Sequence, residues 1–350
     1  MPEPVIQSRQ HCLASRYAFD LLHNLFLQTP GRSAMNLRRS ILSLLGRRPP
    51  ATETDPRLEI IERTPAIATE PIPESGRVSS PIGIHLLAND KHVHHALWAV
   101  KSFYASAGVS FPLTVHLQGP HTRALADIFR RHFPAARLIS QQAADIHVEP
   151  WLRDRGLHRL LQRRRKFFLL MKLVDLRLLA RTPLVIYLDT DVLFFRHPGE
   201  LVVTPADIAA SPHLFMRDDY DSYCITPEKA REDLGIDLAP RANAGIMRLV
   251  TDRIDLEACE RFITHPDLNG SHWHLEQTLH ALNASAQGSI SLLPASYAML
   301  SGLKDDPSLV ARHYVSPIRP LLINEGITHL LESGFVESLA TQTRRTLRDN

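Results

Sequence analysis

A chain of 350 residues is long enough for one large domain or two small ones, and 44% hydrophobic against 22% charged residues allows a sizeable buried core. Forty basic residues stand against 37 acidic ones, a formal charge of +3. So even a balance gives no general argument for nucleic-acid binding, which needs a concentrated basic surface to draw affinity from counterion release.

Cys12, Cys224 and Cys259 are scattered and odd in number, which argues against a disulfide framework and for a reducing compartment. None of the 19 histidines falls in an HExxH helix or a zinc-finger spacing. The stretch Met1 to Gln10 lacks the basic start and apolar run of a signal peptide. Further on, Leu37, Ile41, Leu42, Leu44 and Leu45 are flanked by Arg38, Arg39, Arg47 and Arg48, the spacing of a short amphipathic helix. Two readings stand: a helix lying on an anionic membrane surface, or one packed on the domain or left in a loose tail. Pro49, Pro50, Pro56, Pro65, Pro71, Pro73 and Pro81 make the next segment a linker or an irregular wrap. The division expected is an extension over 1–80, a folded unit over 81–330 and a helical tail over 331–350.

The folded unit opens with Ile82–Ala88, which reads as a strand. A helix follows over Ala96–Ala107, then a strand over Leu113–Leu117, a helix over Thr122–His132 and a third strand over Arg137–Ile139. Arg163–Ala180 reads as one helix, leading into the strand Leu184–Leu188. Alternating strands and helices predict crossover units, a mainly parallel central sheet flanked by helices, and ligands beyond the carboxyl ends of the strands. The longest apolar run, Phe167 to Ala180, is broken by Lys172, Asp175 and Arg177 and, at about 1.5 Å per residue, is too short to span a bilayer. A cytoplasmic protein is expected, with any membrane contact made peripherally through the N-terminal helix. No internal repeat is visible.

The strongest local signal is Leu184-Val-Ile-Tyr-Leu-Asp-Thr-Asp-Val-Leu-Phe-Phe195, where an apolar strand runs into Asp189 and Asp191 and apolar character then resumes. Two carboxylates in such a setting are costly to bury without a cation, and hard divalent ions bind through a few carboxylates plus substrate phosphates. A second Asp-x-Asp, Asp219-Tyr-Asp221, follows a polar stretch and reads as a solvated loop.

Asp189 and Asp191, taken with further segments in the same order along the chain, resemble the retaining GT-A-fold glycosyltransferases of family eight, the group that includes glycogenin and bacterial lipopolysaccharide galactosyltransferases. The matching segments are Leu87-Ala-Asn-Asp90 with Ser102, Lys172, Ala242-Asn-Ala-Gly-Ile-Met247, Glu276-Gln277 and His313-Tyr-Val-Ser-Pro-Ile-Arg-Pro320. They span about Ile82 to Leu321. The resemblance implies an α/β fold of the nucleotide-diphospho-sugar transferase type. It implies that Ala88, Asn89, Asp90, His92 and Ser102 cradle the base and ribose, and that Thr190, Asn243, Ala244 and Gly245 lie along the donor. It further implies that Asp189, Asp191 and His313 hold Mn²⁺ or Mg²⁺, that Arg319 clamps the diphosphate, and that Lys172, Glu276 and Gln277 stand at the reacting carbon. The chain has His92 where the family has Tyr, Glu276 for Asp, Ser316 for Gly and Arg319 for Lys. Arginine is a good bidentate phosphate partner, so that last change keeps the chemistry. Read from the residues alone, Lys172 has an alternative in an ion pair with Asp175 at i+3, and Gly245 offers close backbone approach to a ligand.

The expected function is metal-dependent transfer of a hexose from a nucleotide-sugar donor, UDP-linked and with retention by the resemblance, to a saccharide or lipid-linked acceptor. The runner-up is a nucleotide-sugar-binding protein without turnover, motivated by His92, Glu276 and Ser316. A phosphotransferase or nucleotidyltransferase ranks low, because neither GxxxxGK[ST] nor GxGxxG occurs. The run Arg153, Arg155, Arg159, Arg163, Arg164, Arg165 and Lys166 has two readings, a seat for an anionic acceptor or a solvated face.

Overall fold

The computed structural model describes residues 55–73, 78–270 and 272–341. The amphipathic segment carrying Arg38, Arg39, Arg47 and Arg48 lies outside the described residues, as do residues 342–350 of the expected tail.

The alternation read between Ile82 and Leu188 is the framework. Strand β1 (Ile82–Asn89) leads into helix α1 (Val93–Ala107), β2 (Leu113–Gln118), α2 (Thr122–His132) and β3 (Arg137–Ser140). Helix α1 stops at Gly108, whose φ of 64° lets its N–H reach back to Tyr104 O. Helices α3 (Gln141–Asp154), α4 (His158–Lys166) and α5 (Met171–Leu179) precede β4 (Leu184–Leu188) and β5 (Val192–Phe194). Then come β6 (His213–Arg217), α6 (Pro227–Leu234), β7 (Ala242–Val250), α7 (Leu256–Phe262), α8 (Leu275–Ala286) and β8 (Ile290–Leu292), and finally β9 (Tyr297–Ala298) and β10 (Ala311–His313).

The central sheet has the order β3-β2-β1-β4-β7-β6-β8. Its pairings are parallel except where β7 runs antiparallel to β4 and β6. The chain builds outward from β1 to β3 and then returns to the other side of β1. That reversal opens a crevice beyond the carboxyl ends of β1 and β4, where ligands of open α/β sheets sit. Side chains alternate across the sheet: Leu184, Ile186 and Leu188 pack with α1 and α2, while Val185 and Tyr187 pack with α3, α4, α5 and α8. A second sheet, β5-β10-β9, continues from the far side of Asp189–Asp191.

The helix expected over Arg163–Ala180 is broken. Phe167 is extended (φ −133°, ψ 95°), and a tight turn over Phe168–Leu170 precedes α5. The cause is the buried Arg164, which reaches both Asp175 and Asp145, the latter at 2.6 Å. In one straight helix residues eleven apart would stand about 16 Å apart along the axis, so the chain must fold back for that pair to form. Asp175 thus pairs with Arg164, while Lys172 pairs with Asp189 and Glu276. The other arginines of the basic run are engaged as well: Arg165 and Arg153 with Glu149, Arg159 with Glu260, Arg163 with Asn269, and Arg155 over the Trp151 ring.

Residues 55–73, in the proline-rich stretch, lie against the same core. Leu58 and Ile61 are buried in it, Trp98 donates to Leu58 O, and the buried Lys101 ammonium donates to Thr64 Oγ1 and Pro65 O, both at 2.6 Å. Phe335, in the expected tail, packs on Trp98. Among the described residues no helix is long and apolar enough to cross a membrane, and Cys224 and Cys259 are free thiols.

The interior holds several neutral imidazoles. His85 and His116 face each other across β1 and β2 at 3.1 Å. Burial and the nearby Arg137 guanidinium hold His116 down at about 3. Burial alone dominates for His95 and His213, both lowered to about 4, and for His280, lowered to about 3. These groups are lowered on folding, so the unfolded chain binds more protons below about pH 6.5. Stability is therefore expected to fall as pH drops from 6.5 towards 4, by up to about 1.4 kcal/mol per pH unit for each such group. Melting temperatures taken from pH 7.5 to 4.5 check this; a flat profile over that window would contradict it.

Candidate active site

Strand β4 is buried along its whole length and delivers Asp189 to the crevice. The chain then turns at Thr190 and enters the second sheet through β5. Pairing of β10 with β5 sets His313 opposite Val192, and the Tyr314 N–H donates to Asp191 O at 2.8 Å. Two residues 122 apart in sequence, Asp191 and His313, meet for this reason: His313 Nε2 lies 3.1 Å from Asp191 Oδ1 and 3.8 Å from Asp189 Oδ2. One donor atom from each of Asp189, Asp191 and His313 falls within 4.8 Å of the others.

The tautomer of His313 follows from its other nitrogen. Nδ1 lies 3.0 Å from Asn243 Oδ1, a side-chain carbonyl that can only accept. Nδ1 therefore carries a hydrogen, which leaves Nε2 as the nitrogen turned to the aspartates and, once it gives up its proton, the one a metal would take. Asn243 Oδ1 also accepts from Gly245 N at 2.9 Å, and Asn243 Nδ2 donates to Asp218 Oδ2 at 3.1 Å. A Cβ built on Gly245 would overlap the His313 ring. The space its missing side chain leaves is thus filled by the His313 imidazole. Two oxygens and one imidazole nitrogen, with the nitrogen's tautomer fixed by Asn243, suit a divalent ion of the Mn²⁺ or Mg²⁺ kind.

Behind Asp189 lies a buried cation. Lys172 Nζ on α5 stands 3.0 Å from Asp189 Oδ1 and 3.2 Å from Glu276 Oε2 on α8. It also stands 4.9 Å above the Tyr187 ring, whose hydroxyl donates to Asp189 Oδ1 at 3.2 Å. Burial pushes the Lys172 ammonium down, but the two carboxylates outweigh it and hold it well above its ordinary value. Glu276 is raised to about 7 by burial, against the pull of Lys172. Its Oε1 has His280 Nε2 at 3.4 Å. Gln277 is committed at both ends of its amide: Oε1 accepts from Ala244 N and Nε2 donates to Ser222 O.

On the outer side, Arg319 Nη2 and Nε reach Asp191 Oδ2 at 2.9 and 3.2 Å. Burial would raise the Asp191 carboxyl, yet His313 and Arg319 beside it outweigh that and hold it well below the usual carboxylate range. His313 is raised, since Asp191 outweighs the effect of burial.

The remaining residues divide between rim and interior. At the end of β1, Ala88 is buried, Asn89 Oδ1 accepts from His92 N, and Asp90 is exposed. The His92 ring meets that of His95 edge-on at 5.5 Å. Ser102 is buried with its hydroxyl donating to Ala99 O and accepting from Phe194 N, so it ties α1 to β5. Asp219 and Asp221 are exposed, and Asp221 accepts from Arg241 N in a loop. Asp218 beside them is buried and supports Asn243. Sequence reasoning passed over Asp218, Tyr187 and His280. Asp218 carried one signal, its place two residues after the apolar run Leu214-Phe-Met216, with Arg217 between.

No protein-family model matches the chain, and no curated protein matches it in sequence. Among solved structures it is similar to the galactosyltransferase LgtC in complex with donor and acceptor sugar analogs. That likeness has a TM-score of 0.50 and 15% identity, and covers 74% of this chain and 95% of that one. It is also similar to the apo form of mouse xyloside xylosyltransferase 1, with a TM-score of 0.42 and 12% identity over 68% of this chain and 98% of that one. The likeness to LgtC is one of fold: the chain has the GT-A type of α/β fold.

The packing of Gly245 against His313 is open to a direct check. Gly245→Ala should destabilise the protein by about 1–3 kcal/mol in chemical denaturation, the usual effect of overpacking a filled interior. In a His313→Ala background the same substitution should cost little, because the ring it meets is gone. Equal losses in both backgrounds would show that the two residues are not in contact.

Proposed function

We propose that the protein is a metal-dependent glycosyltransferase that takes a hexose from a nucleotide-sugar donor and passes it to a hydroxyl of a saccharide acceptor, with retention of configuration. The observation that carries this reading is the convergence of Asp189, Asp191 and the Nε2 of His313 at the crevice of the sheet, from two strand ends that only the fold brings together. Its GT-A-type fold, shared with a galactosyltransferase solved with donor and acceptor sugar analogs, supports the choice of substrate class.

A divalent cation held by Asp189, Asp191 and His313 would neutralise the negative charge that builds on the diphosphate as the sugar departs. Asp90 and His92, at the exposed end of β1, are placed for the nucleoside. Arg319 presents a planar fork to the diphosphate oxygens. Lys172, 3.0 Å from Asp189 Oδ1, holds that carboxylate in place at the strand end. Glu276 is buried behind Lys172 and acts through it, holding the ammonium charged between two carboxylates. Gln277 and Asn243 brace the β7 backbone and the His313 ring, and they fix the geometry on which the ligand atoms depend.

A panel of nucleotide sugars incubated with the protein and Mn²⁺ should release free nucleotide from one donor, and EDTA should stop it. Asp191→Asn should lower that release by at least about a hundredfold while leaving the melting curve cooperative. Binding of a uridine diphosphate sugar with heat in a calorimeter, but no release from any donor with any saccharide added, would favour a binding protein over a transferase.

A further inference from the structure

Asp191 has both carboxylate oxygens engaged by protein groups, Oδ1 by His313 and Oδ2 by two nitrogens of Arg319. Asp189 is matched in the same way by Lys172. The two aspartates thus face two permanent cations, Lys172, which also serves Glu276, and Arg319, which leans on Asp191. The cations differ in freedom: the Lys172 side chain is 4% exposed, while that of Arg319 is 44% exposed. Arg319 is the first residue of the short helix Arg319–Leu321, and its guanidinium reaches Asp191.

A bare dication entering this site would compete with the Arg319 guanidinium for Asp191 and add two positive charges to a largely buried cluster with no new anion for the displaced guanidinium, where unmatched charge is strongly unfavourable. A dication that arrives with a diphosphate carrying two negative charges adds none. The guanidinium can then exchange one oxyanion for another, since the fork that fits a carboxylate fits a phosphate equally well. We propose that Arg319 is a clasp on Asp191 that closes the site to free cations and opens for a cation already paired with a diphosphate. The true ligand is then the metal–nucleoside diphosphate complex taken as a unit. This inference rests on the nucleotide-sugar reading and adds a binding order to it.

The test is titration calorimetry on the full chain with MnCl₂ alone and with MnCl₂ plus uridine diphosphate, for wild type and Arg319→Gln. Wild type should bind Mn²⁺ weakly by itself and much more tightly with the nucleotide. Arg319→Gln should change the two in opposite directions, binding Mn²⁺ alone about tenfold or more tightly and the pair about tenfold or more weakly, as expected when one guanidinium serves two oxyanions in turn. Parallel weakening of both, or no change for Mn²⁺ alone, would overturn the clasp while leaving the nucleotide reading intact. A variant that had merely lost its fold would fall in the parallel class and also show a lowered melting temperature; Arg319→Lys, which keeps the charge and loses the fork, then decides. Free-Mn²⁺ affinity in Arg319→Lys between those of wild type and Arg319→Gln supports the clasp, and wild-type affinity overturns it. If neither protein binds uridine diphosphate with Mn²⁺ at all, the nucleotide reading itself fails.

Discussion

Two carboxylates at the end of a fully buried strand have to be matched by positive charge, and much of the molecule around the crevice answers that requirement. The strand β4 is apolar on both faces because it lies at the middle of the sheet, and it ends where Asp189 and Asp191 must stand. Solvent reaches Asp189 only in part and Asp191 hardly at all. The chain supplies the compensation from three directions: Lys172 from α5, His313 from β10 and Arg319 from the rim. Removing any one of them leaves a buried charge without its partner, the situation that makes breaking an ion pair far worse than never having built one.

Geometry at the site is held by backbone as much as by side chains. Asp189 N donates to Gly245 O, Ala244 N donates to Gln277, and Asn243 joins Gly245 N, His313 and Asp218 in one cluster. β7 is therefore both a structural strand and the bracket of the imidazole. The antiparallel insertion of β7 beside β4 makes this work, because it carries Ala242–Gly245 past the carboxyl end of β4, where a parallel neighbour would have ended.

Much of this was legible in the residues themselves. The strand–helix alternation from Ile82 to Leu188 and the run of apolar residues into Asp189 and Asp191 point to a parallel sheet with carboxylates at its ligand edge. What the residues did not disclose were the partners that only folding creates. Gly245 looked like close approach for a ligand, and the room its missing side chain leaves is taken by His313. Lys172 had Asp175 nearby in sequence, yet Asp175 belongs to Arg164, and that pair bends the chain at Phe167. The dense arginine run looked like a basic surface, and its charges are largely met by Asp145, Glu149, Asp175 and Glu260, on other elements. In each case the local pattern was correct as to residue type and silent about a long-range neighbour, because an ion pair between helices leaves no periodicity to read.

The two permanent cations divide their work by depth. Lys172 is walled in by Tyr187, Glu276 and the body of α8, so its position is set before any ligand arrives. It serves two carboxylates at once. When Asp189 turns part of its charge towards a ligand cation, Glu276 is still 3.2 Å away and keeps the ammonium compensated. Glu276 is poised for this because burial lifts it to about 7 while Lys172 pulls it back, so its charge depends on the presence of the ammonium. Among the described residues Arg319 pairs with Asp191 alone, and it sits where solvent reaches it. A charge that must stay is buried between two acids, and a charge that must move is left at the mouth on one; that difference in depth separates the fixed half of the site from the half a ligand can rearrange.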